Sequence, residues 1–145
     1  MKTVLGIVMI VCALALAIAP AFTDCESAGK TLTTADGRSV SMKCHWAGVA
    51  EVAAAIPLGI AGIYALRSRR KETLRFAGLV GAVSGLMAIL LPTVLIGTCG
   101  SPMMICNLLM RPIVLASGIV AMAASAGLFF VAREPELPAA PVVAA

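Results

Sequence analysis

Long apolar runs alternate with short polar connections along this chain. The runs Val4 to Phe22, Trp46 to Leu66, Phe76 to Gly97 and Pro112 to Ala132 contain a single charged residue between them, Glu51. At ~1.5 Å of rise per helical residue, about 20 such residues cross a hydrocarbon core of ~30 Å. The pattern therefore predicts an all-α integral membrane four-helix bundle with spans over about residues 4–22, 46–66, 76–97 and 112–132. The connections hold only about 23, 9 and 14 residues, which leaves no room for a separate soluble domain. Residues 1–132 read as one transmembrane domain, and 133–145 (REPELPAAPVVAA) as a disordered cytoplasmic tail.

Within the spans, small residues recur at the spacing that lets helix backbones approach in lipid. Gly81 and Gly85, Ala13, Ala17 and Ala21, and Ser117, Ala121 and Ser125 form such rows, with Gly48, Gly59 and Gly62 on the second span. Pro57 and Pro92 fall inside spans, where each removes a backbone hydrogen bond and predicts a kink. Pro112 stands at the start of the fourth span, where its missing N–H is harmless.

Composition reinforces the class. The chain is 61% apolar and 12% charged, with a mean hydropathy of +1.03. Charge then sets orientation, because Lys and Arg near span ends stay on the cytoplasmic side. Five of the eleven basic residues crowd into RSRRKETLR: Arg67, Arg69, Arg70, Lys71 and Arg75. With Lys2 and Arg133 they predict a multi-pass protein of the inner (plasma) membrane with both termini cytoplasmic. The net charge of +4 follows from that topology and gives no reason to expect nucleic acid. The first run, with Lys2 before it and AIAPA at its end, also fits a cleaved signal peptide, although its length favours a retained helix. Either outcome leaves the downstream topology unchanged.

This topology puts Cys25 and Cys44 in the first external loop and Cys99 and Cys106 in the second, with Cys12 mid-span as a small buried apolar side chain. An even set of external cysteines suggests disulfides, for which three pairings exist. Local pairing, Cys25 with Cys44 and Cys99 with Cys106, is the first expectation because each pair closes one loop. Pairing across the loops, which would staple the two halves of the bundle, is the alternative.

Chemistry concentrates at the same end. KCHWAGVAEV places Cys44 and Glu51 seven apart on one helical face, with His45 close by and Trp46 as an interfacial anchor. A carboxylate inside a span is unfavourable unless paired, protonated or hydrated, so Glu51 is a functional candidate, with His45 and Arg111 as prospective partners. One reading makes Glu51 and Arg111 a structural ion pair between the second and fourth helices. The candidate ligand- or partner-binding set is Cys44, His45, Trp46, Glu51, Asn107 and Arg111.

Three functions remain open. The foremost is an accessory or ligand-binding component of a membrane complex, acting with the bilayer and with a membrane-protein partner or a second copy of itself; it needs no catalytic residue, cofactor or resident metal. The second is thiol-disulfide exchange, because four spans with two external cysteine pairs look like the plan of the quinone-linked disulfide-generating enzymes and vitamin K epoxide reductases. Their CxxC is missing, and with it the usual basis for an easily exchanged bond. The third is a soft copper or zinc site drawn from Cys44, His45, Cys99, Met103, Met104 and Cys106, donor types suited to such ions.

The order of CHW at Cys44 to Trp46, Glu51, LLPTVLIGTC at Leu90 to Cys99 and MMICN at Met103 to Asn107 resembles a family of small prokaryotic four-span proteins catalogued as a domain of unknown function. The resemblance covers roughly residues 1–132. It implies that Cys44, His45, Trp46, Glu51, Cys99, Cys106 and Asn107 belong together, and points to an accessory role beside ABC-type exporter components.

Overall fold

The structure, a computed structural model, describes residues 1–26, 29 and 31–132; the tail at 133–145 lies outside them. Four helices dominate: α1 (Lys2–Thr23), α2 (Lys43–Arg67), α3 (Lys71–Leu90) and α4 (Arg111–Val131). Each is long and apolar enough to cross a membrane. They pack as a ring in chain order, α1 on α2, α2 on α3, α3 on α4 and α4 back on α1. In hydrocarbon every backbone polar group must be satisfied within its own segment, and the helix does this without help from water.

The surface confirms which solvent the bundle suits. Val4, Ile7, Val11, Leu14 and Ile18 line the exposed side of α1, and Phe76, Leu79 and Val83 that of α3. A water-soluble bundle would turn such residues inward. The interior holds Met9, Leu16, Leu58, Met110, Val114 and Leu128, all fully buried.

Two glycine crossings set the helix spacing. A Cβ on Gly6 would stand 3.1 Å from the Gly62 carbonyl oxygen, and one on Gly62 would stand 3.0 Å from that of Gly6. Gly85 and Gly118 repeat the arrangement between α3 and α4, with both distances 3.0 Å. The obstructing atom is backbone each time, so a larger residue would have to part the helices. Gly62 and Gly85 belong to the small-residue rows of the sequence; their partners Gly6 and Gly118 stand outside them.

The two prolines behave differently. α2 runs unbroken through Pro57, whereas α3 widens after Leu90 into a π turn, Leu91–Leu95, that contains Pro92. A second π turn, Cys106–Met110, leads into α4, so the fourth helix starts six residues before Pro112 instead of at it. Arg111 N–H donates to the Cys106 carbonyl across that wider turn. Such turns are uncommon and often stand beside functional sites.

At one end, Lys2 donates to the Ser68 carbonyl at 3.2 Å, bringing the start of the chain to the basic α2–α3 loop. At the other end lie both longer connections. The first carries a small exposed hairpin, Leu32–Thr33 paired antiparallel with Ser39–Val40 and turned at Gly37, whose φ of 75° suits glycine. The Asp36-Gly37 dipeptide is its sequence signal.

Candidate metal centre

Each helix delivers one cysteine to a common point. Cys25 follows the end of α1, Cys44 lies in the first turn of α2, Cys99 lies in the loop after the first π turn, and Cys106 opens the second. Their four sulfurs all lie within 4.8 Å of one another. The closest approaches are 3.3 Å for Cys44 and Cys99, 3.5 Å for Cys25 and Cys106, and 3.7 Å for Cys25 and Cys99. Cys25, Cys44 and Cys106 are buried and Cys99 is half-buried.

All of these cysteines are free, and so is Cys12, buried within α1. The loop-closing disulfides Cys25–Cys44 and Cys99–Cys106 are therefore not shown, since a disulfide needs sulfurs ~2.05 Å apart. The reason lies in the packing: the ring of helices brings the two connections over one another, and the two shortest contacts run between loops instead of within them.

The loop carrying Cys99 is held from one residue. Asn107 Nδ2 donates to the carbonyls of Cys99 at 2.7 Å and Ser101 at 2.8 Å, while its Oδ1 accepts from Thr98 Oγ1 at 2.6 Å. Gly97, with φ of 77°, supplies the turn that admits this loop. Asn107 thus positions a cysteine and stands next to another.

The first connection has its own clamp. His45 Nδ1 lies 3.0 Å from Asp24 Oδ2 and 3.1 Å from Glu26 Oε2, so the neighbours of Cys25 are tied to the neighbour of Cys44. Trp46 meets the His45 ring edge-on, with centroids 5.9 Å apart, and is otherwise exposed as an interfacial anchor would be. Asp24 and Glu26 were absent from the candidates of the sequence because nothing local links them to His45. The same holds for Met42, whose sulfur lies 4.0 Å from that of Cys99.

Other candidates fall elsewhere. Arg111 is exposed, and the ion pair expected between it and Glu51 is not formed; nor does His45 reach the carboxylate, being engaged by Asp24 and Glu26. Glu51 is fully buried, and among the described residues neither of its oxygens has a hydrogen-bond partner. Met103 is exposed, and Met104 packs half-buried against the core.

Burial pushes the Cys99 thiol up to about 11 and raises that of Cys25 as well. These thiols hold their protons at neutral pH.

A family model described as a domain of unknown function, DUF4418, matches residues 4–131. The chain belongs to the DUF4418 family. No curated protein and no solved structure matches it. Four sulfurs gathered from four helix ends, with a positioning asparagine behind one of them, match in type and number the donors that tetrahedral thiolate centres use.

Proposed function

We propose that this protein is a small inner-membrane component that binds a soft transition-metal ion, Zn²⁺ or Cu(I), at Cys25, Cys44, Cys99 and Cys106, and presents it at the external face to a partner membrane complex. The observation that carries this reading is the mutual approach of four unbonded sulfurs within 4.8 Å. Metal–sulfur bonds of ~2.3 Å in a tetrahedron set sulfurs about 3.8 Å apart. The sulfur–sulfur contacts of 3.3, 3.5 and 3.7 Å are close to that edge, so an ion fits after small side-chain movements. The external placement rests on the basic α2–α3 loop at the opposite end. An accessory role beside an exporter of the ABC type accords with a small chain built around four candidate membrane spans.

A second reading is supported by the two shortest contacts. Oxidation would join Cys44 to Cys99 and Cys25 to Cys106, stapling the first connection to the second by two disulfides. One experiment separates the readings: the protein is purified anaerobically from membranes without added metal, and bound metals and free thiols are counted together. The metal reading expects one ion per chain and all four cluster thiols reduced. Metal-free protein with only Cys12 reduced would replace it with the disulfide-stapled or thiol-exchange reading.

A further inference from the structure

The basic end of the bundle, opposite the four cysteines, carries a groove between α2 and α3. It has a volume of about 250 Å³ and is lined by Pro57, Ile60 and Tyr64 of α2 and by Thr73, Phe76 and Val80 of α3. Ile60, Tyr64 and Phe76 are exposed, so the groove opens outward, toward hydrocarbon in a membrane. From Tyr64 to Pro57 it extends about 10 Å along α2 at ~1.5 Å per residue, a length suited to a stretch of acyl chain.

A second hollow adjoins it, sharing Ile60 and Tyr64 as walls and lined further by Arg67 and Ser68. Arg67 is the last residue of α2, so this hollow stands at the helix end, the level of lipid headgroups. Lys2 Nζ donates to the Ser68 carbonyl at 3.2 Å, which places an ammonium group beside the same hollow. Arg69, Arg70 and Arg75, all exposed, follow in the chain, with Glu72 as the one carboxylate among them. Among the described residues none of these guanidinium groups is in an ion pair. α3 begins there with no hydrogen bond from the Arg70 side chain to cap it, so its positive end adds to the same field. Orientation in a membrane requires basic residues at one end, but not a hollow lined by one and flanked by another.

We propose that this end of the bundle holds one anionic phospholipid, with its phosphate between Lys2 and Arg67 and one acyl chain along the groove from Tyr64 to Pro57. A guanidinium offers phosphate two parallel N–H donors, and an ammonium adds a compact charge. A zwitterionic lipid brings the same phosphate together with its own cation, which the neighbouring arginines repel. The excess of positive charge therefore selects the anionic class. A helix of another protein could fill the apolar groove, but it would leave Arg67 and Lys2 without an anion, whereas the bilayer supplies one at that level. The site is independent of the metal-binding reading, because it shares no residue with the cysteine cluster.

The test is native mass spectrometry of the full chain in detergent, titrated with phosphatidylglycerol or with phosphatidylcholine of the same acyl chains. Wild type, Lys2→Gln, Arg67→Gln, Thr73→Phe and Arg38→Gln are compared at equal helical circular dichroism. The wild type is expected to retain one phosphatidylglycerol in preference to phosphatidylcholine. Lys2→Gln and Arg67→Gln should each weaken that retention about fivefold, the effect of one basic residue at a membrane surface. Thr73→Phe, which puts a ring into the groove and leaves both cations in place, should weaken it as well. Arg38→Gln removes the same charge from the exposed hairpin at the other end and should change nothing. Equal retention of the two lipids by the wild type would overturn the proposal, and so would an equal loss in Arg38→Gln and Arg67→Gln. Unchanged retention in Thr73→Phe would remove the lipid from the groove, and a lipid-free dimer of the wild type would assign the groove to a second copy of the chain.

Discussion

Replacing Asn107 with Ala removes three hydrogen bonds at once, those to Thr98, Cys99 and Ser101, of 2.6, 2.7 and 2.8 Å. At ~0.5–1.5 kcal/mol net for each, and with this loop partly open to solvent, the loss amounts to about 2 kcal/mol. That energy holds the Cys99 backbone in place. If the loop must be ordered before its thiol can bind an ion, 2 kcal/mol becomes a roughly 30-fold weaker metal affinity. The figure falls within the ~10–100-fold found when groups that orient metal ligands are removed. Asn107→Asp is the sharper variant. It keeps an acceptor for Thr98 but turns an oxygen toward two carbonyls that now receive N–H donors, so it is expected to bind metal no better than the alanine variant. The assay is competition for Zn²⁺ against a chromophoric chelator in detergent, with hydrogen exchange of residues 97–101 as a measure of loop order. An Asn107→Ala protein that binds Zn²⁺ within twofold of wild type would refute the claim that this side chain positions Cys99.

Gly85→Val should destabilise the bundle by about 1–3 kcal/mol, because its new carbon would meet the Gly118 carbonyl oxygen and Met122 Cγ, each at 3.0 Å. Gly100→Ala, with nothing within 4 Å, should leave thermal unfolding in detergent unchanged, and equal midpoints for both variants would contradict the close-crossing argument. Because Cys25 and Cys99 are both raised, with Cys99 near 11, protons compete with metal throughout the neutral range. Lowering the pH from 8 to 6 should therefore weaken Zn²⁺ binding by at least about tenfold per unit, and a flat profile would show that these thiols are not ligands.

The grouping of site residues was partly visible in the sequence. Cys44, Cys99, Cys106 and Asn107 stand in recognisable motifs, and all four meet at the cluster. The choice of partners was not visible. Loop-closure arguments weigh only separation along the chain, and so favoured Cys25 with Cys44 and Cys99 with Cys106. The contacts observed at 3.7 and 3.5 Å instead join residues 74 and 81 positions apart. Likewise Glu51 was legible as an anomaly, since a lone charge in a span is costly anywhere, but its lack of a partner depends on where Arg111 and His45 turn. Met42, Asp24 and Glu26 carried no signal, because what brings them to the site is the folding of the first connection over the start of α2.

Sequence alone determined the four spans, because transfer of each apolar side chain into hydrocarbon is a local energy that sums along the run, and a helix is the only open segment that satisfies its own backbone there. The crowding of basic residues into the α2–α3 loop, on which the expected sidedness rests, is equally local to the sequence. Tertiary structure decided the chemistry. Two glycine crossings draw the helices close enough, and the order of helices around the ring brings four helix ends together, for four distant sulfurs to share one point. That convergence is a property of packing between segments, which no window along the chain contains.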